Sequence, residues 1–262
     1  MGLAIFEQSG VFDPTMYGLQ AGDLIQVIAV GGGGGGGAGV KPDNTVYEQG
    51  FGGNAGKGGA GNAGGGGGGG YGGGGGGGSG NSSNGAGGGG GAGGNIELLS
   101  YALPNNNPIS VTIGDGGIGG TTESEATAGG TTSFGNILTA LGGNPGTRRL
   151  EVNQLARGGA SDRSPGGAGA LNNQEAGGGG GGYIPGARVF GGSGGNAASD
   201  NRPGMDGVGS GGGSGAFMNP NISTTYQLAL INAGKSQYGG CGGFSSPATD
   251  GGIGSGVVIV TW

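Results

Sequence analysis

The stretch Ala229-Leu-Ile-Asn-Ala-Gly-Lys-Ser236 has the outline of a phosphate-binding loop, in which a glycine-rich backbone and a lysine hold nucleotide phosphates. Its first position is alanine instead of glycine. The residues after it, Gln237-Tyr-Gly-Gly-Cys-Gly-Gly-Phe244, cannot build the helix whose N-terminus completes such a site. Lys235 therefore reads as a solvated loop charge. Cys241 lies between glycine pairs with no base near it in sequence, which favours an inert thiol over a nucleophile. Asp115, Glu123 and Glu125 are carboxylates of the kind that acid–base catalysis or calcium binding uses, but they lack the D-x-D-x-D-G spacing and read as solvated loop charges. Gly-x-Gly-x-x-Gly recurs, as it must in a chain with 85 glycines among 262 residues. No occurrence follows a strand and opens a helix, as dinucleotide binding requires. Asn221-Ile-Ser223 accepts a glycan only in an exported chain. With no histidine and a single cysteine, the chain has no imidazole base, no histidine-ligated metal, no internal disulfide and no cysteine cluster for zinc or iron–sulfur. The expectation is a protein that is not an enzyme and carries no cofactor or metal.

Fifteen acidic against nine basic residues give a net charge of −6, with no basic block, so a sequence-independent grip on nucleic acid is not expected. No apolar stretch approaches the roughly 20 residues of a membrane helix, so no membrane insertion is expected. The opening Met1-Gly-Leu-Ala-Ile-Phe-Glu-Gln8 has neither the positive nor the apolar region of a secretory signal, which points to synthesis in the cytoplasm without a signal peptide.

About a third of the chain is glycine, and the arrangement decides what that means. Collagen needs a strict Gly-X-Y repeat rich in proline, whereas here there are 10 prolines and the glycines come in solid runs at 31–37, 64–70, 72–78, 87–91 and 177–182. A flexible coil is the stronger rival, because ordering each backbone unit costs about 1–2 kcal/mol and glycine has no side chain to bury in return. One lattice can offset this. Extended polyproline II-type coils make no internal hydrogen bonds, so every backbone group is available to neighbouring coils wherever no Cβ keeps the chains apart. The period-three spacing of Gly52, Ala55, Gly58, Gly61, Gly64, Gly67 and Gly70 fits it, as does that of Gly53, Gly56 and Gly59, with Asn54 and Lys57 on the third, outward row.

The frame of the chain is ordinary β sequence. Leu24-Ile-Gln-Val-Ile-Ala-Val30 and Val257-Val-Ile-Val-Thr-Trp262 are β-branched runs, and Ile109-Ser-Val-Thr-Ile113 alternates as a half-buried strand does. Leu99, Tyr101 and Leu103 alternate as well, and Pro104-Asn-Asn-Asn-Pro108 supplies a turn. Thr131–Phe134 and Ile137–Leu141 flank Gly135-Asn136 as a hairpin, and Phe6 and Phe12 are placed in one first short strand. No useful 3.6-residue periodicity occurs. The expected fold is irregular and all-β, with almost no α-helix. Residues 1–30, 95–141 and 256–262 make a small antiparallel β-sandwich of five to seven strands at the attachment end. Residues 31–94 and 142–255 make a bundle of polyglycine II helices with protruding loops. The expected core is Phe6, Phe12, Leu24, Val27, Val30, Leu99, Val111, Ile113, Val258, Val260 and Trp262. Strands one and last share a sheet and pin the middle. A long exposed edge would aggregate, so a partner or a glycine coil is expected to cover it.

Glycine-poor stretches interrupt the lattice at 40–49, 148–157, 183–190 and 219–238. Loops on a rigid scaffold are where recognition usually sits, and mixtures of Tyr, Arg and Asn are typical recognition surfaces. The candidate receptor-binding residues are Tyr47, Phe51, Arg148, Arg149, Leu150, Tyr183, Ile184, Arg188, Phe190, Tyr226 and Tyr238. The alternative for any single aromatic is that it caps the bundle and shields its backbone.

Leu24–Val30 followed by the glycines at 31–37, and the ending Gly256-Val-Val-Ile-Val-Thr-Trp262, resemble the opening and closing of glycine-rich domains in bacteriophage tail-fibre proteins. Ile109-Ser-Val-Thr-Ile-Gly-Asp-Gly-Gly117 and Gly130-Thr-Thr-Ser-Phe-Gly135 are similar to that family's internal landmarks, in the same order. The related tail-fibre tip adhesins of T-even-like phages use a polyglycine helix bundle that displays variable loops. The resemblance implies a receptor-binding protein of the virion tail fibre, with the glycine-poor stretches as those loops. It implies partners of two kinds: a bacterial outer-surface protein or glycan, and other tail-fibre or virion proteins. It also implies a chain that is either trimeric or caps a trimeric fibre. The chain lacks the longer, Trp-containing attachment region of the T-even adhesins. Two further functions stay open: a purely structural tail or baseplate component, and an ice-binding polyglycine-helix protein, against which the single cysteine and the bulky aromatics argue.

Overall fold

The computed structural model describes residues 2–37, 91–92, 94–120, 123–148, 159, 182–184, 187–189 and 255–262. Their strands are β1 (Leu3–Phe6), β2 (Gly10–Phe12), β3 (Leu24–Val30), β4 (Ile96–Ala102), β5 (Ile109–Thr112), β6 (Thr132–Phe134), β7 (Leu138–Ala140), β8 (Gly182–Ile184), β9 (Ala187–Val189) and β10 (Val257–Thr261). One four-stranded sheet has the order β1-β10-β3-β4 and a second the order β2-β5-β6-β7, with every pairing antiparallel. β8 and β9 form a separate hairpin. The fold is thus all-β, and the helix found among the described residues is one 3-10 turn, Pro14–Tyr17.

The first and last strands share a sheet, as their β-branched sequences suggest: Leu3 pairs with Thr261 and Phe6 with Val258. β10 also pairs with β3, Val260 opposite Val27 and Val258 opposite Ala29. These residues, with Phe12, Ile25, Leu103, Val111, Phe134 and Ala140, form the core between the sheets. Phe6, Ile113 and Trp262 pack against it half-buried. Phe12 is its hub, with ring centroids 5.3 Å from Tyr17, 5.7 Å from Phe134, 6.2 Å from Trp262 and 6.5 Å from Phe6.

Several details differ from the sequence expectation, and Leu99, expected in the core, is half-buried outside it. Phe6 and Phe12 do not share one strand. The polar triplet Glu7-Gln8-Ser9 carries the chain from one sheet to the other, so both rings point between the sheets from opposite sides. Leu24 is 62% exposed and outside the core, because alternation sends Ile25, Val27 and Ala29 inward. Val30 is fully buried but on the opposite face, with Ile28. The two sheets also hold eight strands instead of five to seven.

Local chemistry fixes the turns. The Asp13 carboxylate accepts from the Thr15 amide at 2.9 Å and the Thr15 hydroxyl at 2.6 Å, capping the 3-10 turn ahead of Pro14. Gly18 ends that turn at φ 71°, in the left-handed region. Gly135 opens the β6–β7 hairpin at φ 55°, and Ile137 donates back to the Phe134 carbonyl at 3.1 Å. Between β4 and β5, the Asn105 side chain accepts from the Asn107 amide at 2.9 Å.

Beyond the sandwich the chain runs as extended coils bonded to one another at intervals of three residues. Gly31 and Gly34 donate to the carbonyls of Asn95 and Ala92 at 2.9 and 2.7 Å. Gly32 and Gly35 donate to Gly130 and Thr127 at 2.9 and 3.0 Å. The Gly33 and Gly36 carbonyls accept from Gly117 and Gly120 at 2.7 and 2.9 Å, and those of Gly32 and Gly35 accept from Gly143 and Gly146 at 2.8 and 3.0 Å. One coil, 31–37, is therefore bonded to 114–120 and 141–147, which run parallel to it, and to 91–95 and 127–130, which run antiparallel. This is the bonding that a three-residue-per-turn coil without internal hydrogen bonds leaves available. The contact is possible because Cβ is missing. A methyl group added at Gly31, Gly34 or Gly37 would lie under 3 Å from the carbonyls of Leu141, Asn144 and Thr147.

Residues 114–120 and 127–130 fall within 95–141, which the sequence assigns to the sandwich, and they run as lattice coils. The period-three run at 52–70 lies outside the described residues.

Candidate recognition site

Topology gives the lattice two ends. Coils 31–37, 114–120 and 141–147 each leave the sandwich directly from a strand, β3, β5 or β7. Coils 91–95 and 127–130 return to it, leading into β4 and β6. At about 3.1 Å per residue, residue 37 stands roughly 19 Å beyond residue 31. The described coil 31–37 ends, coil 91–95 begins and coil 141–147 ends on the side away from the sandwich. Gly159 lies against the Asn144 and Pro145 carbonyls of coil 141–147, and the Gly256 amide donates to the Gly114 carbonyl near the base at 2.7 Å.

Exposure follows the same period. Along coil 141–147, Leu141, Asn144 and Thr147 are exposed, Gly142 and Pro145 are half-buried, and Gly143 and Gly146 are buried. Asp115 and Ile118 are the exposed row of coil 114–120. The larger side chains of these two coils thus fall mainly on the row that faces water, while the Thr127 hydroxyl takes part in the lattice by accepting from the Ile118 amide at 2.7 Å.

Arg148 continues the half-buried row at the outer end of its coil. Its Nε donates to Glu125 Oε1 at 2.6 Å, with side-chain exposures of 19% for the arginine and 61% for the glutamate. Glu125 lies in the turn between coils 114–120 and 127–130, so this pair ties two elements together at the far end. Exposed ion pairs are worth at most about 1 kcal/mol. Glu125→Gln should therefore lower Tm by no more than about 3 °C in a thermal melt; a much larger fall would show that the pair helps hold the lattice.

Tyr183, Ile184 and Arg188 lie on the β8–β9 hairpin, where Tyr183 is in register with Arg188 and Ile184 with Ala187. This hairpin lies beside β4. The candidates among the described residues therefore occupy two locations, the outer end of coil 141–147 and a hairpin near the first sheet. Tyr47, Phe51, Arg149, Leu150, Phe190, Tyr226 and Tyr238 lie outside the described residues, as do the phosphate-loop outline at 229–236, Cys241 and the sequon. Among the described residues no cluster of acids has an arrangement that could hold a metal ion.

Residues 71–262 match the glycine-rich domain family, well over half of the chain. The chain belongs to that family. In this glycine-rich domain the matched span contains β4 to β10 and every described lattice coil except 31–37, while β1 to β3 and that coil precede it. No curated protein sequence and no solved structure matches the chain.

Sequence reasoning missed Glu125 as the partner of Arg148. It also missed the coils at 114–120 and 127–130. The signal for the coils was present: Gly114-Asp-Gly-Gly-Ile-Gly-Gly120 places its two larger residues three apart, as the outward row of a three-fold coil must.

Proposed function

We propose that this glycine-rich domain is a non-enzymatic adhesin of the virion tail fibre, which recognises a bacterial surface protein or glycan through segments held by a polyglycine lattice. The observation that carries this reading is the coil 31–37, bonded to four neighbours through its backbone alone. A scaffold whose order lies in bare main chain leaves side chains on its outer rows and in its connecting segments free to vary. Segments anchored on such a scaffold lose little entropy on binding, which favours affinity. The connections 38–90 and 121–126 begin and end on the side of the lattice away from the sandwich, which carries both described chain ends. That arrangement suits fibre attachment at one end and recognition at the other. The β-strand and landmark sequences that resemble phage tail-fibre domains support the same reading.

The test uses the labelled full chain against a panel of bacterial strains. Saturable adsorption to some strains and not others is expected. Replacing 149–157 or 219–238 with Gly/Ser of equal length should reduce adsorption at least tenfold and leave the circular dichroism of the sandwich unchanged. Adsorption to no strain, together with co-sedimentation with virion tails, would replace this reading with a purely structural role.

A further inference from the structure

We propose that two copies of this chain associate across a two-fold axis by pairing their β1 strands, making one continuous eight-stranded sheet from the two four-stranded ones. The inference is independent of the adhesin reading.

β1 is an edge strand, paired on one side with β10. Gly2 and Trp262 exchange both backbone hydrogen bonds, at 2.8 and 3.3 Å. In an antiparallel ladder such pairs alternate with non-bonded ones. Ala4 and Phe6 therefore bond to β10 as Gly2 does, while the N–H and C=O groups of Leu3 and Ile5 point away from it. Among the described residues nothing pairs with that side.

Natural edges are usually blunted by lysine, proline, a bulge or a covering element. Leu3-Ala-Ile-Phe6 has none of these. The opposite edge of the same sheet is protected: β4 carries Glu97, and the β8–β9 hairpin lies beside it.

The strand fits a second copy of itself. In an antiparallel pairing centred on Ala4, Leu3 of each copy meets Ile5 of the other. The four outward-pointing amide and four carbonyl-side positions reduce to two such bonded pairs, with four hydrogen bonds formed and none of the Leu3 or Ile5 groups left over. Ala4 faces Ala4 at the non-bonded position, where side chains come closest and a small residue fits. Leu3 and Ile5, 47% and 44% exposed, share the outer face. Ile5 there continues a row of register partners, Ile259, Ile28 and Leu98, so the pairing extends an apolar row from one copy into the next. No charge within β1 opposes it.

The test is the mass of the purified full chain by light scattering in reducing buffer, which removes any contribution of Cys241. Twice the chain mass of 24.1 kDa is expected at micromolar concentration. Ile5→Pro removes an outward N–H that the β10 ladder does not use, a position where edge strands tolerate proline; it should give the single-chain mass with an unchanged far-UV spectrum. Should that variant fail to fold, Leu3→Lys with Ile5→Lys keeps the backbone intact and should give the single-chain mass as well. A wild-type mass of 24.1 kDa, a trimeric mass, or a dimer that persists in the folded variant would overturn the proposal.

Discussion

Gly34→Ala is expected to destabilise the protein by at least about 3 kcal/mol, or roughly 10 °C in Tm. Gly34 is buried in the central coil, and its amide donates to the Ala92 carbonyl at 2.7 Å. A methyl group there would run into the carbonyls of Asn144 and Gly143. Those atoms are backbone and cannot rotate away, so the coils must separate. Separation breaks the bond to Ala92 and strands a buried N–H, which alone costs about 1–3 kcal/mol. Asp115→Ala is the matched control. Asp115 lies on the exposed row of the neighbouring coil 114–120, and the substitution should change stability by no more than about 0.5 kcal/mol. Thermal melts of the two variants make the comparison. Equal, small effects would mean that the coils are not in contact.

Phe12→Ala should cost about 3–5 kcal/mol. The ring is fully buried, lies on β2 of the second sheet, and meets Trp262 at the end of β10 in the first sheet as well as Phe6, Tyr17 and Phe134. Its removal leaves a cavity that the two sheets cannot close without tilting against each other. Val11→Ala, next in sequence but 58% exposed, should be nearly silent. Chemical denaturation, with near-UV dichroism reporting on the aromatic cluster, distinguishes the two. A small loss for Phe12→Ala would show that the sheets do not share one core.

The strands were legible wherever side chains alternate or end the chain. Ile109–Thr112 and Val257–Thr261 carry their pairing in their sequences, and so does the turn at Gly135. The phase of β3 was harder, because Leu24-Ile-Gln-Val-Ile-Ala-Val30 is apolar on both faces. Gln26 is the one residue that betrays it, since it is exposed and shares a parity with Leu24. The crossing from β1 to β2 was marked by Glu7-Gln8-Ser9, a polar triplet too short to read as a linker.

Glycine coils are legible in a different way. Apart from the Thr127 hydroxyl, which accepts from Ile118 on the next coil, side chains do little to record which coil lies beside which, so the sequence announces period three but not partners. Pairing of 31–37 with four distant segments depends on lengths and on the strands that launch each coil, which only the fold supplies. The recognition residues were the least legible. Arg148 was found from composition, but its commitment to Glu125, 23 positions away, follows from two coils ending side by side.

Amide hydrogen exchange at Gly34 and Gly35 tests the lattice most directly. Both are in a run with no side chains, and they donate to Ala92 and Thr127 on different coils. Protection of about a thousandfold or more over a random peptide is predicted, approaching that of Val27 in the sandwich. Exchange at the random-peptide rate at Gly34 and Gly35, with Val27 still protected, would contradict a rigid glycine lattice built on main-chain bonds.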